Sequence, residues 1–413
     1  MLKLMLGRAG CGKTTEVFRR MCQPGQGSSR QILIVPEQQS HEAERALCQA
    51  GGDGVSLYGE VLSFSRLANR VFLAAGGMGD LELDAGGRIL MMYQAVKAVS
   101  SQLTVYARPS RRPAFLEELL STVDELKSCC IKPELLLRAG EEAGEREGGK
   151  LRDLGLICTA YEALTARTAL DPRDRLTRAA QKLKECPWAQ GADLWLDGFT
   201  DFTPQQQEVL RELLKQARSV TVTLTCDHLE EDEGGTGIFS PARRTAVRLL
   251  RLAKQAGVFC EVEVLDNKNQ TKLQPLRQLE RVLFSNVPEE PILCRGTMEL
   301  FQSSTPRSEV EWTAARIRAL VRLEGYRYRD IGVVARDFSA YQPLLESVFP
   351  RYQVPMFSSA MTDILEKPIL TLVTAALDTV ANGYRYEDIF RYLKTGLTDL
   401  PQEDRDLLEN YVI

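Results

Sequence analysis

The chain has 413 residues, too many for one ordinary hydrophobic core, so we expect two or three domains. Its net charge of −4 argues against a free-standing nucleic-acid binder, which usually carries a basic surplus. Ten cysteines without a C-x-x-C pair, and only two histidines, argue against a zinc or compact iron–sulfur site in this chain. The apolar runs at 2–6 and 369–377 are too short or too interrupted to be a secretion signal or a membrane span, so we expect a reducing cytosol.

The first predicted elements are a strand, a glycine-rich turn and a helix. The apolar stretch LKLML (2–6) leads into GRAGCGKTT (7–15), and a helical pattern continues from there to residue 22. QILIVP (31–36) is a short continuous apolar run, which is typical of a strand buried on both faces of a parallel sheet. GVSLYG (54–59) and VLSFSRLANRVF (61–72) predict another short strand running into a helix.

The middle of the chain is predicted to be helical and then to return to strands. From about Asp84 to Glu185 prolines punctuate several helical patterns. One helix face there carries Leu116, Leu119, Leu120, Val123 and Leu126. Strand character returns at 193–199 and at 219–226, and an amphipathic helix is predicted between them, with Pro204 near its first turn.

A second α/β unit is predicted after a charged, proline-bearing connection at about 267–290. Its order is a strand at 298–304, an amphipathic helix, a strand at 330–337 and a further helix. The sequence therefore predicts an α/β protein. A parallel-sheet nucleotide-binding domain carries an all-helical insertion and is followed by part of a second α/β domain.

The stretch from residue 7 to residue 15, called the phosphate loop below, matches G-x-x-x-x-G-K-[ST] in the required strand–loop–helix context. Glycines let backbone N–H groups close around phosphates, and the helix that follows directs its positive end at them. Lys13 is expected to reach the β- and γ-phosphates of ATP, and Thr14 to bind Mg²⁺. The predicted nucleotide-binding residues are Gly7, Arg8, Ala9, Gly10, Cys11, Gly12, Lys13, Thr14 and Thr15. The alternative is a glycine turn that binds no nucleotide.

Hydrolysis of ATP at such a loop also needs acidic groups at the end of a neighbouring strand. Asp197 ends the apolar strand LWLD and is the predicted second Mg²⁺ ligand, but Gly198 stands where a motor ATPase carries Glu. Asp201 is a weak candidate for a surrogate base, and a loop or helix-start residue is the favoured alternative. Arg336, at the end of a predicted strand, is a candidate arginine finger, or else a surface residue paired with Asp330 or Asp337. No catalytic residue is therefore firmly predicted.

A series of stretches along the chain resembles a known family. They are GRAGCGKT, LIVPEQQSHEAERAL, VLSFSRLANRVF, LDGFTDFTPQQ, RSEVEWTAARIRALV, YRDIGVVARD and YLKTGL. In this order they resemble the amino-terminal part of the B subunit of the bacterial ATP-dependent helicase/deoxyribonuclease, the AddB type, over essentially the whole chain.

The resemblance implies a UvrD-like helicase plan with RecA-like domains. Residues 1–83 and 187–290 would form domain 1A, and 84–186 a helical insertion similar to domain 1B. Residues 291–413 would form an incomplete second RecA-like domain, 2A, with the start of a helical insertion. Against the pattern D-E-F-Q-D of active relatives, the metal-holding Asp197 is kept, whereas Gly198 and Thr200 replace the catalytic Glu and the Gln. Arg336 matches a phosphate-contacting Arg of that plan.

The family also implies partners and a DNA site. An AddA-type helicase/nuclease subunit would form a heterodimer with this chain and carry the active motor, in the bacterial cytoplasm. The substrate would be single-stranded and duplex-end DNA, scanned for the recombination hotspot Chi. The contacts implied for DNA are Gln38, Ser40, Arg66, Asn69, Phe199 and Phe202. Amides, hydroxyls and guanidinium groups can read base edges, and an aromatic ring can stack on an unpaired base.

Alternatives remain for these contacts and for the function. Gln38 and Ser40 are residue types that cap helices, and Phe199 suits a core. The family's nuclease domain and Fe–S cluster belong to a carboxy-terminal part, so no cysteine here is assigned to the cluster and this chain alone is expected not to cut DNA. Other possible functions are a small-molecule P-loop kinase, disfavoured by the long separation of Lys13 from Asp197, and a scaffold with a vestigial nucleotide site.

Overall fold

The computed structural model describes most of the chain, in two compact units that are treated separately. The units are Met1–Thr297 and Met298–Ile413. The described residues are 1–23, 29–107, 113–229, 237–265, 273–283, 291, 294, 296–358, 364 and 367–412. The first unit thus ends at Thr297, whereas the sequence places the domain boundary at residue 290, in a stretch outside the described residues.

A parallel β-sheet of six strands forms the centre of the first unit, in the order β3-β2-β4-β5-β1-β6. The strands are β1 (Leu2–Gly7), β2 (Gln31–Ile34), β3 (Gly59–Leu62), β4 (Asp193–Leu196), β5 (Ser219–Thr225) and β6 (Cys260–Val264). Every neighbouring pair runs parallel. The α/β class with a parallel sheet, predicted from short continuous apolar runs, is therefore confirmed.

Side chains of the central strands alternate between two apolar layers, as the two-residue period of a strand requires. Leu4, Ile32 and Leu194 point into one layer, whereas their neighbours Met5 and Leu33 point into the other. Each such buried side chain stabilises the fold by about 1.5–3 kcal/mol relative to exposure. Burial on both faces explains why β2 and β4 are continuous apolar runs after their first residue.

Helices cover both faces of the sheet. Those of the first unit are α1 (Lys13–Met21), α2 (Ser40–Gly51), α3 (Phe64–Ala75), α4 (Ala85–Val99), α5 (Pro113–Ser128), α6 (Pro133–Glu142), α7 (Glu145–Thr168), α8 (Arg175–Glu185), α9 (Pro204–Gln216), α10 (Ser240–Gln255) and α11 (Gln274–Val282). α9 begins at Pro204 behind a capping box of Thr203 and Gln206, so the predicted helix start is confirmed. The strand predicted between residues 54 and 62 forms only in the second half of that stretch, as β3. Asp53–Leu57, before it, is a 3₁₀ helix.

Helices α4 to α7 have an apolar core of their own. The stripe predicted for α5 lies in it, with Leu116 and Val123 buried and Leu126 packed against its edge. Beside this core Asp171, fully buried, accepts hydrogen bonds from Lys127 and Tyr161. None of the described helices is both long and apolar enough to cross a membrane.

The described part of the second unit is helical. Its helices are α12 (Pro306–Leu323), α13 (Phe338–Val348), α14 (Pro368–Ala381), α15 (Tyr386–Leu393) and α16 (Gln402–Val412). α12 and α13 pack together through Val310, Ala314, Ile317, Leu345 and Val348, which confirms the amphipathic helix predicted after residue 304. The strands predicted at 298–304 and 330–337 are not formed among the described residues: no ladder pairs them, and Leu300 and Val334 are exposed. A β-strand needs hydrogen-bonded neighbours, and an apolar pattern alone does not supply them.

An ion-pair network holds α1, the helix behind the phosphate loop, against the edge strand β6. Glu16 accepts hydrogen bonds from Arg19 and Arg20, and Arg20 also donates to Glu263 of β6 at 2.7 and 2.8 Å. The hydrogen bonds from Arg19 and Arg20 lower the pKa of Glu16 from 4.5 to about 2. Partial burial of the carboxylate acts in the opposite direction but is outweighed. The ionised form of Glu16 therefore stabilises the fold.

We expect Glu16→Gln to lower the urea-unfolding midpoint at pH 7. Since the folded-state pKa is depressed, the contribution of Glu16 is complete above about pH 4.5 and is lost as the pH falls towards about 2. The difference between variant and wild type should therefore shrink below about pH 4.5. Glu117→Gln, on an exposed position of α5, is the control and should show no such trend. A Glu16→Gln deficit that stays constant between pH 7 and about pH 3 would contradict this account.

Candidate functional site

The predicted site residues of the first unit meet at one edge of the sheet. In a parallel sheet the carboxyl ends of all strands lie on the same edge, which is where ligands of α/β proteins bind. The phosphate loop follows β1, residues 36–40 follow β2, α3 follows β3, and the turn at 197–199 follows β4. The strand order places the phosphate loop on one half of this edge and the three other segments next to one another.

The phosphate loop has the backbone that its glycines permit. Gly10 and Gly12 have φ of 73° and 92°, in the left-handed region that side chains disfavour. A Cβ on Gly7 would lie 2.3 Å from the sulfur of Cys11, so the loop closes on Gly7 too tightly for a side chain. α1 starts at Lys13, so the unpaired N–H groups of its first turn adjoin the loop.

Lys13 and Arg8, the two cations of the loop, have different surroundings. The Lys13 ammonium donates to the backbone carbonyls of Gly7 at 2.7 Å and Arg8 at 3.0 Å, so it lies within the loop. The Arg8 guanidinium instead forms ion pairs with Asp227 at 3.7 Å and Glu280 at 3.8 Å. Arg8 thus connects the loop to α11 and to the segment after β5. Ala9, Gly10, Thr14 and Thr15 are exposed.

Thr14 and Asp197, the predicted magnesium ligands, are in direct contact although they lie 183 residues apart in the sequence. The Thr14 hydroxyl donates to Asp197 Oδ2 at 2.6 Å. The hydroxyl of Thr223, on β5, donates to the other carboxylate oxygen. Asp197 is only 8% exposed, so these hydroxyls fix the orientation of a buried carboxylate.

The donor set at this point suits Mg²⁺, which prefers oxygen ligands and keeps several waters. Thr14 and Asp197 offer one hydroxyl and one carboxylate, the pair by which P-loop proteins hold the ion beside the nucleotide phosphates. In the part of the chain that the structure describes, no group of three or more His, Cys, Asp or Glu side chains is placed to hold a metal ion. A cation here would thus need phosphate and water for its other ligands.

Gly198 lies in a backbone conformation that favours glycine. Its φ is +81°, and a Cβ added to it would lie 2.5 Å from Oε1 of Gln39 and 3.3 Å from Cδ of Pro36. A glutamate, as in active relatives of the helicase plan, would therefore require a different backbone and a displaced Gln39. Neither Gln39 nor Thr223 was predicted as a site residue. The alternation of Val and Thr in β5 was the only signal for Thr223.

Asp201, the surrogate-base candidate, is bound by its own neighbourhood. Its carboxylate accepts hydrogen bonds from the Thr245 hydroxyl at 3.0 Å and from Arg248 at 3.1 Å, both on α10. It also accepts from the backbone N–H of Phe202. These contacts favour the alternative, a residue that fixes the loop before α9.

The predicted DNA contacts differ in how much surface they offer. Gln38 and Arg66 are exposed, and the Arg66 guanidinium pairs with Glu44 at 2.6 Å. Phe199 is half-buried, in an edge-to-face contact with Phe64. Phe202 is only 2% exposed, in the core between the sheet and its helices, so it has no ring face free for a base. Asn69 accepts a hydrogen bond from Arg175.

Helix capping, the alternative for Gln38 and Ser40, is not realised. The Ser40 hydroxyl donates to the carbonyl of Glu37 at 3.0 Å, and no side chain caps the start of α2. Arg336 is exposed and belongs to the second unit. The two aspartates considered as partners of Arg336 interact with other groups. Asp330 pairs with Arg327, and the Asp337 carboxylate accepts a hydrogen bond from the N–H of Ala340.

Taken together, a parallel sheet and a phosphate loop in contact with a buried strand-end aspartate define a RecA-like P-loop α/β protein. The family model described as "ADDB, N-terminal" matches residues 4–280, more than half of the chain, and the chain belongs to this family. The resemblance inferred from the sequence is thereby confirmed.

Curated relatives agree with this assignment over the whole chain. Proteins named as the B subunit of an ATP-dependent helicase/deoxyribonuclease are 36% identical to it in Thermoanaerobacter sp. (strain X514), 35% in Acetivibrio thermocellus and 32% in Clostridium tetani. Each match covers 100% of this chain but only 36–37% of the relative. The chain thus spans little more than a third of the length of these relatives.

We expect Gly198→Ala to lower the free energy of unfolding by about 1–2 kcal/mol, since a side chain disfavours this left-handed backbone and the Cβ would meet Gln39. Urea unfolding followed by tryptophan fluorescence measures the change, because Trp195 of β4 is buried near the turn. Gly54→Ala is the matched control: a Cβ there meets nothing within 4 Å, so the effect should stay within about 0.5 kcal/mol. Equal effects of the two substitutions would contradict the constraint on Gly198.

Proposed function

We propose that this chain is the helicase-like amino-terminal region of the B subunit of an ATP-dependent helicase/deoxyribonuclease that repairs double-strand breaks by recombination. It binds Mg²⁺–ATP at the phosphate loop and single-stranded DNA along the neighbouring segments of the same sheet edge. The observation that carries the nucleotide site is the contact of the Thr14 hydroxyl with Asp197 at 2.6 Å. A glycine turn without a nucleotide role has no need of a buried aspartate at this point.

Nucleotide binding uses groups that already lie in place. Lys13 exchanges two carbonyl partners within the loop for phosphate oxygens, and the N–H groups of the loop and of the first turn of α1 surround the phosphates. Thr14 and Asp197 hold Mg²⁺, which neutralises phosphate charge when bound. Arg8 keeps its partners Asp227 and Glu280 and so anchors the loop from outside.

Hydrolysis is weak or absent in this proposal. Gly198 carries no carboxylate, and Asp201, the nearest substitute, is engaged by Thr245 and Arg248. Neither position then supplies a base that takes a proton from an attacking water. Arg336, the candidate arginine finger, stays a prediction of the sequence. The motor is supplied by an AddA-type subunit in a heterodimer, in the bacterial cytoplasm.

DNA binding is proposed for the half of the sheet edge after β2, β3 and β4. Gln38, Ser40 and Arg66 offer amide, hydroxyl and guanidinium groups to base edges, and the half-buried ring of Phe199 offers a stacking surface. Because the whole chain has a net charge of −4, local contacts rather than a bulk basic surface hold the strand. This arrangement suits a subunit that scans a passing strand for the short hotspot Chi.

A scaffold with a vestigial nucleotide pocket is the second candidate, favoured by one observation. The Lys13 ammonium is satisfied by carbonyls of its own loop, an arrangement that needs no phosphate. A scaffold predicts that nucleotide affinity is negligible and independent of Lys13.

We expect Lys13→Ala to weaken binding of a fluorescent ATP analogue by at least about tenfold, since charge-assisted hydrogen bonds to phosphate contribute about 1.5–3 kcal/mol. Fluorescence anisotropy with Mg²⁺, and again with a chelator, measures the loss. Lys215→Ala on α9, a lysine paired with Glu212, is the control and should bind like the wild type. Equal affinity of the wild type and Lys13→Ala would support the scaffold instead.

We expect Arg66→Ala to weaken single-stranded DNA binding about tenfold at fixed salt, since a charge-assisted hydrogen bond contributes about 1.5–3 kcal/mol. Arg70→Ala is a matched control, because both arginines are exposed on α3 and pair with a glutamate, but Arg70 lies one turn further from the sheet edge. Anisotropy of a labelled oligonucleotide, titrated at several salt concentrations, compares them. Equal losses in both variants, or none in Arg66→Ala, would remove this face from the DNA site.

A further inference from the structure

A groove lies at the edge of the sheet opposite the candidate site. The loop segments that line it precede β2, β3 and β4, whereas the phosphate loop and the other site segments follow their strands. β2, with four residues, separates the two edges by about 13 Å. The groove has a volume of about 830 Å³, within the range of ligand-binding clefts. Its walls include Arg30, Leu57, Glu60, Arg70, Leu73 and Trp188.

Backbone hydrogen bonds of the sheet fix the floor of this groove. The N–H of Gln31, the first residue of β2, donates to the carbonyl of Tyr58 at 2.7 Å. The N–H of Asp193, the first residue of β4, donates to the carbonyl of Arg30 at 2.9 Å. The segments that enter the three strands are therefore held in the ladder, and a ligand would meet a groove that is largely pre-formed.

Two arginines of the groove are oriented by one glutamate. Glu60 accepts hydrogen bonds from Arg30 at 2.9 Å and from Arg70 of α3 at 2.5 Å. The Arg30 guanidinium also lies 4.5 Å from the centroid of the Trp188 ring. Both arginine side chains keep a large exposed fraction, 39% for Arg30 and 49% for Arg70. Two cations beside one carboxylate leave a positive balance, so the groove suits a further carboxylate and has its cations already in place.

Two leucines give the same groove an apolar surface. Leu57 ends the 3₁₀ helix before β3 and is 90% exposed, and Leu73 lies on α3 and is 68% exposed. A single exposed leucine is ordinary, but these two come from different elements and line one cavity together with the two arginines. Covering each of them contributes about 1.5–3 kcal/mol. Because a leucine offers no ring face for stacking, this surface favours an apolar side chain over a nucleobase.

We propose that this groove binds a partner protein through an extended segment in which an acidic residue adjoins a large apolar one. The apolar side chain covers Leu57 and Leu73, and the carboxylate pairs with Arg30 and Arg70 beside Glu60. The site lies at the edge of the sheet opposite the phosphate loop, so the partner can be held while nucleotide and DNA are bound. The groove is thus an attachment point, separate from the proposed function.

The test uses a labelled hexapeptide, Ser-Asp-Asp-Leu-Phe-Ser, with an amidated end so that its carboxylates belong to the aspartates. Fluorescence anisotropy with the 413-residue chain should give a Kd between about 1 and 100 μM. We expect Leu73→Ser and Arg70→Gln each to weaken binding at least about fivefold, from the lost apolar contact and the lost charge-assisted hydrogen bond. Circular dichroism checks that each variant is folded.

Matched controls separate the groove from the general surface. Leu81→Ser removes another leucine that is 73% exposed, and Arg211→Gln removes an arginine of α9 that pairs with Glu208 at 2.5 Å. Both should bind the peptide within about twofold of the wild type, since neither residue lines the groove. A peptide with asparagines for its aspartates, or serines for its apolar pair, should lose at least about fivefold in affinity.

Three results would overturn the inference: a wild-type Kd above about 1 mM, equal affinity of the wild type, Leu73→Ser and Arg70→Gln, or displacement of the peptide by an unlabelled oligonucleotide. The last result would assign the groove to nucleic acid. Saturating ATP analogue with Mg²⁺ should leave the peptide Kd unchanged. A chain that binds the peptide but neither nucleotide nor DNA would remove the proposed function and leave the groove as inferred.

Discussion

The hydrogen bond between Thr14 and Asp197 is the contact on which the rest of this site depends. It joins the first helix of the chain to a strand that begins after more than a hundred intervening residues, most of them helical. The parallel sheet brings the two together, because its strands all end at the same edge. Thr223 on the intervening strand β5 fixes the second carboxylate oxygen. The insertion of α4 to α8 between β3 and β4 therefore leaves the site geometry intact.

The phosphate loop and the proposed DNA contacts lie on different halves of the same sheet edge. The phosphate loop and its anchor Arg8 lie towards β6, whereas the exposed polar groups of residues 36–40 and Arg66 lie towards β3. Among the six described strands, β4 is the one whose end takes part in both halves, through Asp197 and Phe199. The proposed DNA site is compatible with a net negative charge, because the cations and amides it would use are few and are gathered on one side.

The sequence predicted those features that depend on local spacing, and it missed those that depend on distant neighbours. The phosphate loop, Asp197 and the buried strands follow from patterns within a few residues, and the family resemblance rests on the same stretches. The left-handed backbone of Gly198 was out of reach, because a single glycine in a turn leaves no periodic signal. Phe199 and Phe202 are equally aromatic, and only the tertiary packing shows that Phe202 is buried. The strands expected at 298–304 and 330–337 failed because an apolar pattern does not specify a pairing partner.

The left-handed backbone of Gly198 also has an evolutionary consequence. Glycine and glutamate codons can be neighbours in the genetic code, so a point mutation is enough to restore the acidic residue of an active motor. The new side chain would lie on a left-handed backbone that residues other than glycine disfavour, so the substitution alone costs stability. A glutamate fits there only if the turn after β4 changes its backbone as well. The conformation of one turn therefore favours keeping the glycine once it is present.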